Sequence, residues 1–107
     1  MNKLVKMLKL NNLQYNANHD PQAYRRCVNE TFRIQALLEG SGVARCTLRD
    51  AADGVLAEKS VGLPGTLSHE ISFQTPGTRV VTLSIEGNGE KFAQNLRLDV
   101  MEHAWVG

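Results

Sequence analysis

The sequence predicts an all-β fold, an antiparallel sandwich of about seven strands in a single domain spanning 1–107. The chain has 107 residues, enough for one hydrophobic core but not for a second domain. Clusters of Gly, Pro, Asn and Asp recur about every dozen residues, a spacing typical of turns between short strands. Between the clusters, apolar and polar residues alternate, which indicates strands with one face turned inward.

The clusters divide the chain into candidate strands. They are EGSG at 39–42, DAADG at 50–54, GLPG at 62–65, TPG at 75–77 and EGNGE at 86–90. If each cluster is a turn, the strands lie near 30–38, 43–50, 55–61, 66–74, 78–86 and 90–100. Helices have little room between turns at this spacing.

The apolar residues of these segments recur at every second position and would be scattered around a helix. The residues expected to face the core are Phe32, Ile34, Ala36 and Leu38; Ala44, Cys46 and Leu48; Leu67, His69, Ile71 and Phe73; Val81, Leu83 and Ile85; and Phe92, Leu96, Leu98 and Val100.

The first 28 residues are harder to assign. KLVKMLKLNNLQY at 3–15 fits an amphipathic helix or a first strand with a kink at Asn11 and Asn12. We favour the strand, because the sandwich otherwise lacks a partner along one edge. Asp20 followed by Pro21 has the form of a helix N-cap and first position, which predicts one short helical turn near 21–27.

Seven strands with hairpin connections in about 100 residues are typical of immunoglobulin-like domains. Through FRIQALL, ARCTLRDAADGVL and TPGTRVVTLSIEGNG, residues 30–100 resemble that superfamily at the level of pattern. The chain departs from antibody-type domains, since 43–50 contains no Trp and Arg79 stands where a corner tyrosine is expected. No functional residues are therefore carried over, and none is assigned as catalytic or cofactor-binding.

Charge argues against nucleic acid as a partner, because the net charge is only +1. Residues 1–33 carry six basic and two acidic side chains, hence +4, which leaves −3 for 34–107. No stretch approaches the ~18 apolar residues of a membrane span. Lys6 and Lys9 interrupt the apolar run that a signal peptide needs. If the chain is complete we expect it in the cytoplasm, and outside the cytoplasm if a leader was removed.

Asp50 and Asp53 raise the question of a calcium loop. In the pattern D-x-x-D-G-x-x-x-E, the Gly and the Glu come too early for an EF-hand loop. The same residues suit a hairpin, since Asp-Gly tolerates the positive φ of a tight reversal. We therefore predict a turn and no metal.

The histidines and cysteines give the weakest candidate site. Cys46 and His69 both point inward by parity, but two residues fall short of a zinc site. Each histidine adjoins a carboxylate, and adjacent strand residues face opposite sides. Cys27 and Cys46 are expected to form one bridge or none.

The tail MEHAWVG suggests an interaction site. Met101, His103 and Trp105 share one face if the last strand continues, and Trp105 is costly to leave in water. It either folds back onto the domain or docks on another chain, in a homodimer for example.

Three functions follow from these observations. The leading hypothesis is a non-enzymatic module that binds a protein partner or itself through strand edges or loops. The first alternative is a small metal-binding or accessory subunit using Cys46 and His69. The second is a carbohydrate-binding module, for which only Tyr15, Tyr24 and Trp105 are candidate aromatics.

Overall fold

A computed structural model describes residues 4–11, 13–15, 25–87 and 89–102. These residues form seven strands and no helix. The strands are β1 (Val5–Leu10), β2 (Leu13–Gln14), β3 (Arg26–Cys27), β4 (Phe32–Arg49), β5 (Val55–Ile71), β6 (Gly77–Gly87) and β7 (Glu90–Met101). None of the described residues belongs to a helix long and apolar enough to cross a bilayer.

The strands form one mixed sheet that curls into a half-barrel. Its order is β2-β1-β4-β6-β7-β3, and β5 pairs with β4 outside this path. Every pair is antiparallel except β3 with β7, which is parallel. The all-β class with seven strands is confirmed. The prediction of a purely antiparallel sandwich needs correction, because β3 adds a parallel pair and β4 joins β1 and β6 in one continuous sheet.

Two of the predicted turns are wrong, because the chain continues as strand through 39–42 and 62–65. The two segments face each other within the long β4–β5 hairpin. Leu38 pairs with Gly65 and Gly42 with Leu63, so residues 39–41 oppose Pro64 alone. Extra residues on one strand form a bulge, which bends the pair and increases its twist. The Gly and Pro residues therefore bend one long hairpin and do not separate four short strands.

The alternating rows are confirmed as the core. A single cluster contains the buried members of every predicted row together with residues of β1. His69 is also buried, whereas Ile71, Phe73 and Phe92 are only partly buried and pack against the cluster. Residues from both halves of β4 enter this cluster, so the curled sheet encloses its own core.

The strand predicted within 3–15 is confirmed as β1 and β2, with the kink at Asn11, whose φ is 54°. The Asn11 N–H donates to the Arg33 carbonyl at 2.8 Å, and the Arg33 N–H donates to Asn11 Oδ1 at 2.9 Å. Asn11 thus extends the pairing of β1 with β4 while the chain turns. The helical turn predicted near 21–27 is wrong at its end, since Arg26–Cys27 is β3; residues 21–24 lie outside the described ranges.

Arg79, which stands where a corner tyrosine was expected, holds the connection between β5 and β6. Its guanidinium lies 4.6 Å from the centre of the Phe73 ring, a cation–π distance. It also donates to the Thr75 carbonyl at 3.0 Å. Phe73 meets Phe32 edge to face with ring centres 6.0 Å apart, so Arg79 anchors this connection to the core.

Candidate functional site

Strand β5 has the longest unpaired edge in the described structure. It is 17 residues long and hydrogen-bonds only to β4 among the described strands. The strands at the two ends of the sheet, β2 and β3, have two residues each. An unpaired strand edge presents N–H and C=O groups that a further strand can bind. We therefore take the β5 edge as the candidate site.

The hydrogen bonds of Arg33 show which main-chain groups in the second half of β5 face away from β4. Both main-chain groups of Arg33 bond to Asn11, on the β1 side of β4. Because successive residues of a strand direct these groups to opposite sides, Ile34 directs its own toward His69. The free edge in this half therefore carries the main-chain groups of Thr66, Ser68 and Glu70.

The pairing of β6 with β7 shows which main-chain groups in the first half of β5 face away from β4. The two-residue turn between Gly87 and Glu90 makes them a hydrogen-bonded pair, so Ser84 directs its main-chain groups toward Thr47 of β4. Cys46, next to Thr47, then directs its groups toward β5. The free edge of this half carries the main-chain groups of Glu58 and Ser60.

The two halves of β5 face each other across the opening of the curled sheet. Lys59 Nζ donates to the Ser68 carbonyl at 2.9 Å, although the two residues are nine positions apart on one strand. A straight strand would separate them by about 30 Å, far beyond the reach of a lysine side chain. The strand therefore doubles back, and we call the opening between 57–61 and 67–71 the seam.

The inner surface of the seam is apolar around one cationic group. The register places Lys59 on the same face as the buried Cys46. Its neighbours on that face, Ala57 and Val61, are partly buried against the core. Lys59 itself is exposed. No carboxylate pairs with it among the described residues.

His69 lies beneath the seam. It is 5% exposed, and its Nε2 has no hydrogen-bond partner within the described part of the chain. Burial, and secondarily the positive charge of Lys59, lower the pKa of His69 below its ordinary value of 6.5. The imidazole is therefore neutral at pH 7.

Cys46 and His69, the two residues of the alternative metal site, are both buried. Burial raises the pKa of the Cys46 thiol to about 11, and Lys59 opposes that rise only in part. A metal ion bound there would have to displace the thiol proton, and the metal-binding alternative stays a prediction. No group of three His, Cys, Asp or Glu side chains suited to a metal occurs within the described ranges. Cys27 and Cys46 are both free thiols.

The DAADG segment is a hairpin turn, as predicted. Asp50 Oδ1 accepts hydrogen bonds from the N–H groups of Ala52 at 3.0 Å and Gly54 at 2.8 Å. The Asp53 N–H donates to the Asp50 carbonyl at 3.0 Å, and the φ of Asp53 is 67°. The Asp50 carboxylate thus holds the turn closed between β4 and β5.

The residues predicted for interaction at the tail are only partly described. Met101 ends β7 and pairs with Cys27, and its carbonyl accepts the N–H of Val28 at 2.9 Å. His103 and Trp105 lie outside the described residues, as does Tyr24 of the carbohydrate hypothesis. Tyr15 is half-buried and donates to the Asn95 carbonyl at 3.4 Å. The tail therefore stays a prediction.

A polar depression on the outer face was not predicted. It lies where β5, β4 and β6 are adjacent and is lined by Arg45, Thr47, Arg49, Glu58, Ser84 and Glu86. Arg45 pairs with Glu58 at 2.6 Å, and Arg49 with Asp53 at 3.8 Å. Exposed pairs of this kind contribute little to stability, typically below about 1 kcal/mol. We interpret this depression as a solvated surface.

Comparison with models of known protein families, with curated proteins and with solved structures gives no match to this chain. Function is therefore inferred from the geometry of the β5 edge and the seam. Sequence reasoning missed Lys59 because it placed 55–61 and 66–74 in separate strands. A usable signal was present: 39–42 and 62–65 lie at equal distances from Ala52, the centre of the hairpin turn.

Proposed function

We propose that this protein is a non-enzymatic protein-interaction module that binds an extended segment of a partner along the edge of β5. The observation that carries the proposal is a 17-residue strand paired on one side only in the described structure. Strand addition draws affinity from main-chain hydrogen bonds and specificity from alternate side chains. It needs no signature motif, in keeping with a sequence that offers none.

The first half of β5 is the more accessible place for a partner. Val55 and Leu56 are 53% and 38% exposed, whereas Leu67 in the second half is fully buried. Pro64 and the bend divide the edge, so no single straight strand runs along its whole length. The expected contact is therefore with residues 55–61.

The proposal also includes an immunoglobulin-like architecture and self-association. Seven strands around one core support the first, although the parallel β3–β7 pair departs from the usual antiparallel arrangement. The second is supported by the same free edge, because a copy of this chain is one source of an extended strand. The predicted tail contact of Met101, His103 and Trp105 is an independent route to a homodimer.

Substitution of Ser60 tests the proposal. Ser60→Pro removes an N–H that faces away from β4, so it blocks strand addition without breaking the β4–β5 ladder. Ser60→Ala changes the side chain but keeps the N–H and is the matched control. Wild type, Ser60→Ala and Ser60→Pro, each confirmed as folded by thermal melting, are used to capture partners from native extract.

We expect a partner that wild type and Ser60→Ala retain and Ser60→Pro loses. Hydrogen exchange on the isolated complex should show slowed exchange of the amides of Glu58 and Ser60. A partner retained equally by all three proteins, with unchanged exchange at these amides, would contradict strand addition.

A further inference from the structure

We propose that Lys59 selects the partner, which carries an acidic residue between apolar residues at alternate positions of the strand that pairs with 55–61. This inference rests on the proposed function and names the chemistry of the ligand. It follows from Ala57, Lys59 and Val61, which present an apolar, cationic, apolar row to any strand added at this edge.

The row is set by the hairpin register. Lys59 pairs with Cys46 and Val61 with Ala44, both buried, so these β5 side chains lie on the inner face. A strand added beside β5 places every second side chain on that same face. Oppositely charged residues directly across from each other stabilise a strand pair, whereas like charges destabilise it. A carboxylate opposite Lys59 is therefore favoured.

Lys59 is available for such a pair, unlike the carboxylates of β5. Glu58 is bound to Arg45 at 2.6 Å on the outer face, and Glu70 to Arg33 at 3.3 Å. Within the described ranges, Lys59 makes one hydrogen bond, to the neutral Ser68 carbonyl. Exchanging this carbonyl for a carboxylate pairs the charged ammonium with an acceptor of opposite charge, which is a stronger bond than one to a neutral acceptor.

A rival interpretation gives Lys59 a protective role only. Natural proteins place lysines on edge strands to prevent uncontrolled pairing with other chains. In that case Lys59 has no preference for an acidic partner strand, and its removal promotes self-association. The two interpretations differ in their response to the charge of an added strand.

Three synthetic peptides separate them. The acetylated and amidated peptides TVTETVT, TVTQTVT and TVTKTVT place Glu, Gln or Lys between two valines on one strand face. Each is titrated into the ¹⁵N-labelled full chain at about 0.15 M salt, near physiological ionic strength, while the amide shifts of 55–61 are followed. The variants are Lys59→Glu, Lys59→Ala and, as a control with the same charge change as Lys59→Glu at an exposed position of β7, Arg97→Glu.

We expect the Glu peptide to bind more tightly than the Gln peptide, by up to about fivefold, and the Lys peptide to bind most weakly, as for a cross-strand charge pair. Lys59→Glu should reverse the order of the Glu and Lys peptides, and Arg97→Glu should preserve it. Amide shifts should be largest at 55–61.

Equal affinities for the three peptides would overturn the inference, and so would self-association of Lys59→Ala without any peptide preference. Absence of shifts at 55–61 at millimolar peptide would also overturn it. The proposed function is judged separately by the loss of a captured partner on Ser60→Pro, so the two failures are distinguishable.

Discussion

Replacing Gly65 with Ala should destabilise the protein markedly, whereas the same change at Gly62 should not. Gly65 lies in the bend of β5, where an added Cβ would overlap the Gly62 carbonyl oxygen and approach Val61 Cγ1 to 3.1 Å. A Cβ at Gly62 would meet nothing within 4 Å. Neither glycine has positive φ, so the contrast is purely steric.

Overpacking of this kind costs about 1–3 kcal/mol. Gly→Ala also lowers the entropy of the unfolded chain, which is worth about 0.4–1 kcal/mol where the site accepts the side chain. Gly65→Ala should therefore lose about 1–2 kcal/mol net, a fall in melting temperature of about 4–16 °C for a domain of this size. Gly62→Ala should gain up to about 1 kcal/mol.

Urea unfolding followed by circular dichroism measures both variants with wild type in parallel. If Gly65→Ala unfolds at the wild-type midpoint, or if the two variants shift together, the close approach of Gly65 to Gly62 is wrong, and with it the bend of β5.

Three further expectations concern the turn, the buried histidine and the cysteines. Asp50→Ala removes the acceptor of two main-chain N–H groups and should cost about 1–2 kcal/mol in urea unfolding, while millimolar calcium leaves the wild-type melting temperature unchanged. Because the pKa of His69 is lowered on folding, the folded protein binds a proton there less readily than the unfolded chain. The contribution of neutral His69 to the free energy of unfolding is therefore complete above about pH 6.5 and is lost as the pH falls. His69→Leu should reduce the fall of the urea midpoint measured from pH 7.5 to 5. A thiol reagent at pH 8 should modify Cys27 before the buried Cys46. Glu30 raises the pKa of the Cys27 thiol by accepting its hydrogen bond and by its charge, so Glu30→Gln should speed the reaction of Cys27. Equal reaction rates of the two thiols in the native protein would contradict the burial of Cys46.

Alternation of apolar residues from Phe32 onward was sufficient to predict that these segments are extended and which side chains turn inward. Phe32, Ile34 and Ala36 are buried as the period of two requires, and so are Leu83 and Ile85. This signal is local, since it depends only on opposite orientations of successive side chains. It carries no information about which strand lies beside which, so β3 with its two residues and parallel pairing could not be predicted.

Glycine and proline do not by themselves mark turns, and the turns predicted from them at 39–42 and 62–65 are wrong. These residues occur in turns and also at bulges and bends within strands, because both need unusual backbone conformations or close approach. Gly40 and Gly42 have φ of 119° and 89°, yet they lie within β4. Only the pairing of β4 with β5 distinguishes a bend from a turn.

The candidate site could not be predicted from residue types. An unpaired edge is a property of the sheet order, and the contact of Lys59 with Ser68 depends on the fold of β5. Strand parity placed Cys46 and His69 on the inner face and both are buried, whereas the metal-binding alternative that uses them stays a prediction. The Gly and Pro residues at 39–42 and 62–65 indicate where the hairpin bends, whereas the direction of the bend depends on packing around the core.

The parallel contact of β3 with β7 has a consequence for the order of folding. Arg26 pairs with Val100, so this contact joins positions 74 apart in the chain, while the hairpins join neighbouring strands. Closing a longer loop costs more chain entropy and slows contact formation. We expect the two hairpins to form first and the contact of β3 with β7 to form last, because it closes the longest loop.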